Sequence, residues 1–186
     1  EEMLNEAISW MKDQKKKKSA LSLDKDQKKN IDVYVENSNR LFPDTDRIRK
    51  LNELKAALDG MVEDADRSIL ENRRMKPAQY KGKDSAELES MAKNTVLKST
   101  AGAEILRVHI TSPGWTTESA LEWTDTTRTA LQGRVTEGIY AQVSARTGRD
   151  CYLYTLFLNK DTVNGVRKPL TGHVMYKERI LEKNAR

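Results

Sequence analysis

Two histidines, His109 and His173, and one cysteine, Cys151, are the only imidazoles and the only thiol in the 186 residues. Imidazole titrates near neutral pH and is the commonest general base. A thiol becomes a nucleophile when a base and an electropositive setting lower its pKa. Neither histidine lies in a recognisable cysteine-protease motif, so Cys151 reads as a small apolar side chain in a strand. A lone cysteine also forms no internal disulfide. Phosphate-binding glycine loops, HExxH, paired CxxC, EF-hand spacing and GxSxG are all missing from the sequence. The residue inventory therefore leads to the expectation of no metal and no cofactor.

The stretch SPGWTTESALEWTDT, residues 112–126, places Trp115 and Trp123 among carboxylates. Glu118, Glu122 and Asp125 are the types that flank a scissile glycosidic bond, at a separation of about 5–9 Å. An exposed indole offers a broad apolar face for a sugar or a base. Trp123 follows Leu121 at strand spacing, which fits one face of a sheet; Trp115 follows Pro-Gly and escapes that pattern. Trp115 is therefore the tryptophan expected to touch a ligand. Arg134, Tyr140, Tyr152 and Tyr154 sit on alternating strands and complete a candidate ligand-binding set with Trp115. Catalysis, if any, falls to His109, Asp125 and Arg134.

Lys+Arg exceed Asp+Glu by 33 to 28, but the excess is local. Residues 12–30 hold eight lysines and three aspartates, and outside that window the two signs balance at 25 each. The run through Lys15, Lys16, Lys17 and Lys18 is a solvated helix face or linker, with weak contact to an anionic surface as its functional reading. A local patch of this kind does not predict specific nucleic-acid binding. No apolar run approaches the ~20 residues that span a bilayer. The chain opens at Glu1 with neither an initiator methionine nor an apolar leader, as expected of a processed or trimmed piece.

These residues need elements to position them, and the chain has two grammars. Residues 1–74 read as helical and residues 75–186 as a helix followed by strands. Met3, Leu4, Ala7, Ile8 and Met11 mark a short amphipathic helix. Ile31, Tyr34, Val35, Leu41 and Phe42 mark a second, stopped before Pro43. Ile48, Leu51, Leu54, Leu58, Met61, Val62, Ala65 and Ile69 mark a third, of ~40 Å, with Asp44 or Thr45 as its cap. The short link predicts that the last two pack as an antiparallel pair. Asp84 or Ser85 caps a further helix with Leu88, Met91, Ala92 and Val96 inward.

From Ala103 the period becomes two. Leu106, Val108 and Ile110 are expected on one face, Arg107 and His109 on the other. Val135, Ile139, Ala141 and Val143 oppose Arg134, Thr136, Tyr140 and Gln142. DCYLYTLFLN is apolar on both faces and reads as a central, doubly covered strand, and LTGHVMYKERI is the last. Gln132-Gly133, Thr147-Gly148 and Asn164-Gly165 are read as reversals, giving an antiparallel meander of four to five strands packed on a helix. No strand–helix–strand alternation occurs, which disfavours a parallel α/β fold.

This order, carried by ILRVHITSPGW, GRVTEGIYAQV and CYLYTLFL, resembles the NTF2-like or cystatin-like α+β rolls of uncharacterised bacterial exported proteins. The resemblance covers residues 75 to 183 and implies a cone-shaped cavity between sheet and helix. It also implies a periplasmic or cell-surface location and a homodimer formed through the sheet. It transfers no catalytic residue. The expected function is a noncatalytic binding or interaction domain with a small-ligand cavity. The alternative is an NTF2-like hydrolase or isomerase built around His109, Asp125 and Arg134.

Overall fold

The computed structural model describes residues 1–17, 21–124 and 126–186. Two compact units follow one another along the chain, Glu1–Asn72 and Arg73–Arg186.

The first unit holds three helices, α1 (Glu2–Lys16), α2 (Lys25–Leu41) and α3 (Asp46–Asn72). Helix α2 starts at a capping box: Asp24 Oδ1 accepts from the Gln27 N–H at 2.8 Å, and the Asp24 N–H donates to Gln27 Oε1 at 3.0 Å. Pro43 follows its end, and Asp44 takes φ +62° in the link. Thr45 then caps α3, its hydroxyl accepting from the Ile48 N–H at 3.2 Å. Cross-helix pairs fix α2 and α3 antiparallel: Lys28 meets Asp66 at 2.9 Å, Asp32 meets Lys55 at 2.9 Å, and Asn39 bonds Asn52. The apolar stripes converge as Leu4, Ile8 and Met11 of α1, Ile31 and Val35 of α2, and Ile48, Leu51, Leu58 and Val62 of α3. Lys15 and Lys16 end α1, where a cation complements the helix dipole, and Lys17 pairs with Asp13 at 2.6 Å. Lys18 lies outside the described residues.

The second unit is α+β. Helix α4 (Ser85–Ser99) precedes strands β1 (Glu104–Ile110), β2 (Thr116–Trp123), β3 (Leu131–Thr147), β4 (Asp150–Val163), β5 (Val166–Arg167) and β6 (Thr171–Ile180), and α5 (Glu182–Ala185) closes the chain. All pairings are antiparallel, and the sheet curls into a half-barrel. Strand β3, ~56 Å long at ~3.3 Å per residue, carries β1 and β2 end to end on one edge and β4 on the other. Both β5 and β6 pair with the far edge of β4. Asn164 and Gly165 have φ +47° and +78° between the paired Val163 and Val166, the backbone a two-residue primed turn demands.

Period-two alternation gives the sheet two unlike faces. Ile139, Ala141 and Val143 of β3 and Tyr154, Leu156 and Leu158 of β4 turn inward onto Leu88, Ala92 and Val96 of α4. These side chains are fully buried or nearly so, and they fill the space where the family resemblance puts a cavity. On the outer face a smaller cluster joins Cys151, Leu153, Ile180 and Ala185 with Met75 and Leu106. There Ser144 Oγ donates to the Ala185 carbonyl at 2.5 Å, tying α5 down.

Three local readings are corrected. Gln132-Gly133 lies inside β3, paired with Glu122 and Leu121, because the two strands close beyond it, where the Thr124 N–H donates to the Ala130 carbonyl. Leu106 does not share a face with Val108 and Ile110. A register shift between Ile105 and Arg107 moves it to the outer cluster. Leu121 and Trp123 do share a face, yet they stay 75% and 49% exposed, since no element among the described residues covers that end of β2.

Leu156→Ala opens a cavity at the centre of the inner core and is expected to cost about 2–5 kcal/mol. Leu121→Ala should stay within about 0.5 kcal/mol of the parent. Urea unfolding followed by circular dichroism checks the pair; similar losses for both would overturn the assignment of faces.

Candidate functional site

Residues singled out by sequence separate onto two faces. Trp115, Tyr152 and Tyr154 belong to the inner side and pack on the α4 core, while Arg134 and Tyr140 belong to the outer side. Tyr154 is only 1% exposed, and its hydroxyl bonds Thr100 Oγ1 at 3.1 Å, so it is a core residue. Tyr152 carries the Lys177 ammonium over its ring at 4.4 Å. His109 pairs with Gln142 in the register, and its Nδ1 meets the Lys76 carbonyl at 2.7 Å. From position 142 to Arg134 the strand runs ~26 Å, so His109 and Arg134 do not converge. Asp125 lies outside the described residues.

Arg134 instead joins a polar patch. Its Nε lies 3.2 Å from Glu122 Oε2 without hydrogen-bond geometry, and its Nη1 lies 3.9 Å from Asp161 Oδ2. Asp161 Oδ1 already accepts from Thr136 Oγ1 at 2.8 Å and from Asn159 Nδ2 at 3.2 Å. Glu122, a carboxylate considered for glycoside hydrolysis, is thus committed to an ion pair.

Trp115 sits in a second cluster, built where the connector before α4 meets the strands. Backbone N–H groups of Gln79 and Tyr80 donate to the Ile110 carbonyl, clipping the connector to the end of β1. The Trp115 indole N–H then donates to the Tyr80 hydroxyl oxygen at 3.1 Å, and that hydroxyl donates to Asp84 Oδ1 at 2.5 Å. Lys160 reaches Asp84 Oδ2 at 3.4 Å and Glu87 at 3.6 Å, with its ammonium 4.8 Å from the Trp115 ring centroid. The Tyr80 hydroxyl holds the Asp84 carboxyl below the usual carboxylate range, with Lys160 adding to the effect. The Asp84 carboxylate in turn pushes the Tyr80 phenol above its ordinary value. An acid held ionised and a phenol held protonated, each engaged with the other, make a clamp between connector, helix and sheet rather than an acid–base pair.

The open outer face is different. One rung runs across three strands, Tyr140 on β3, Phe157 on β4 and His173 on β6. Tyr140 and Phe157 rings stand 5.2 Å apart and tilted by 54°. The Phe157 ring reclines over Gly138, where any Cβ would come within 2.2 Å of it. The next rung is His109, Gln142, Thr155 and Tyr176, and the rung on the other side is Thr116, Gly138, Asn159 and Thr171. None of these positions holds Asp, Glu, Lys or Arg, although 33% of the chain is charged. Tyr140 is 47% and Tyr176 64% exposed. Neither their hydroxyls nor the His173 ring has a hydrogen-bond partner among the described residues.

Sequence reasoning picked Tyr140 and weighed His173, and passed over Phe157 and Tyr176. Parity alone predicts that Tyr176 shares a face with the inward Val174. A register shift adjoining Met175 puts it beside His173 instead. Compared with known proteins, the chain matches no family model, no curated protein and no solved structure. Among the described residues no group of histidine, cysteine and carboxylate side chains is arranged to hold a metal ion.

The clamp predicts a signed pH dependence. Asp84 is lowered in the fold, so its contribution is complete above the ordinary carboxylate pKa of about 3.9 and is lost as pH falls through the lower folded value. Tyr80 is raised, so its contribution is complete below about pH 10 and is lost as pH rises through the higher folded value. Asp84→Asn should therefore be less stable than the parent at pH 7, with the gap closing below about pH 4. Urea midpoints measured from pH 7 down to about pH 2 check it, and a gap that stays constant below about pH 4 sinks the assignment.

Proposed function

We propose that the protein is a noncatalytic binding module that presents the outer face of β3, β4 and β6 to its ligand. The observation that carries this reading is the uncharged aromatic rung Tyr140–Phe157–His173, open to solvent in a chain one-third charged. Charge on exposed sheet positions keeps a surface hydrated and discourages unwanted association. A field without charge, bearing aromatic faces and unengaged hydroxyls, forgoes that protection, and binding is the physical gain that accounts for it. Contact occurs on the sheet surface in this reading, since Leu88, Leu156 and their neighbours occupy the interior beneath α4. An envelope location, implied by the family resemblance, belongs to the same proposal, as does weak anionic contact through the lysine run.

The test is an amide-resolved NMR titration of the full chain with three uncharged probes: chitotriose, adenosine and an acetylated, amidated tyrosine tripeptide. At least one is expected to shift the amides of Gly138–Gln142, Thr155–Asn159 and Thr171–Tyr176, with Tyr140→Ala weakening it at least about tenfold, or ~1.4 kcal/mol. No shift on this face from any probe, or shifts confined to residues 1–72, would overturn the proposal.

A further inference from the structure

We infer that the ligand of the outer face is a neutral glycan, an inference that rests on the binding-module reading above. Three observations select this class. The first is charge. The rungs Tyr140–Phe157–His173 and Gln142–Thr155–Tyr176 contain no fixed positive side chain to meet a phosphate, sulfate or carboxylate. Nucleic acids draw their affinity largely from cations placed on phosphates, and the side chains at these rung positions supply none. Its complement is a molecule without net charge.

The second observation is the kind of apolar surface. It consists of aromatic rings, with Met175 at the border, and none of the three rungs holds Leu, Ile or Val. Lasting protein interfaces resemble a domain core cut in half and carry aliphatic side chains at their centre. Aromatic rings without aliphatic neighbours suit a ligand that has flat C–H faces of its own. A pyranose ring has such faces, and its hydroxyls radiate from its edge.

The third observation is the unengaged hydrogen-bonding capacity around the rings. The Tyr140 and Tyr176 hydroxyls and both His173 nitrogens are without partners among the described residues. A phenol hydroxyl donates and accepts, and a neutral imidazole offers one donor and one acceptor. Interleaved with ring faces, these groups match a polyol, whose hydroxyls also do both. By contrast, Gln142 and Asn159 are engaged, Gln142 with the Lys76 N–H and Asn159 with Asp161 and Thr171, so they hold the backdrop rather than the ligand. The rung spans two strand gaps, ~10 Å, which gives a sugar chain room to lie across the strands.

The experiment is retention of the full chain on insoluble chitin, cellulose and xylan, together with titration by the soluble oligosaccharides of each. Binding to at least one is expected, and it should persist between about 0.1 M and about 1 M salt, where the screening length falls from ~10 Å to ~3 Å. Tyr140→Ala and Tyr176→Ala should each weaken it at least about tenfold, ~1.4 kcal/mol, with circular dichroism unchanged. Trp123→Ala, on the exposed inner face of β2, should leave it intact. Binding that vanishes in salt, or that depends on Trp123, overturns the inference. If only adenosine or the tyrosine peptide shifts the outer-face amides, the glycan is excluded while the binding module stands. Sedimentation showing a dimer that covers Tyr140 and Tyr176 likewise excludes it. If no probe reaches the face, both proposals fall.

Discussion

The packing of α4 against the inner face of β3 and β4 governs what the second unit can be. A sheet alternates its side chains strictly, so burying one face commits every second residue and releases the others. Ile139, Ala141, Val143, Leu156 and Leu158 are held by that contact, and Tyr140, Gln142, Thr155 and Phe157 face outward as its consequence. The outer face is then divided again. The connector before α4 and the short α5 cover the end near Ser144 and Cys151 and reach Gln142, leaving Tyr140, His173 and Tyr176 exposed. The open face is what remains after packing has been satisfied twice.

Ion-paired groups and the exposed aromatic rung occupy separate places in this arrangement. Arg134, Glu122 and Asp161 form ion pairs beyond the middle rungs. Lys160, Asp84 and Glu87 do so at the mouth of the inner face, with Trp115 and Tyr80 drawn into the same knot. Both sets consist of the residue types that attract attention as catalytic candidates. Each is explained by the cohesion of local elements. The exposed aromatic side chains Tyr140 and Tyr176 belong to neither set.

Much of the fold was legible from short-range pattern. The helix boundaries at Pro43 and Thr45, the inward stripe Leu88–Ala92–Val96 and the alternation of Ile139 to Val143 all follow from period and capping. The doubly covered character read for β4 holds only at its Cys151–Leu153 end, since Thr155 and Phe157 on the outer face are half-buried. What escaped the sequence was anything set by register between strands. Leu106 and Tyr176 changed faces because an extra residue interrupts the alternation, and nothing in ILRV or HVMYK announces it. The rung itself joins positions 140, 157 and 173, and only the pairing of three strands reveals that they are neighbours. Trp115 drew notice by following a bend, yet its indole proved to be a donor to Tyr80 within the unit.

Phe157 lying on Gly138 has a thermodynamic consequence. The absent Cβ lets the ring settle against bare backbone, with Tyr140 at its other side. Its side chain is thereby ordered before any ligand arrives, and the entropy of fixing it has already been charged to folding. Association then costs less than it would for a mobile aromatic, since each ordered side chain at an interface costs about 0.5–1.5 kcal/mol. A glycine with no side chain of its own thus makes the face preorganised, and it would influence the dissociation rate of whatever rests there without touching it.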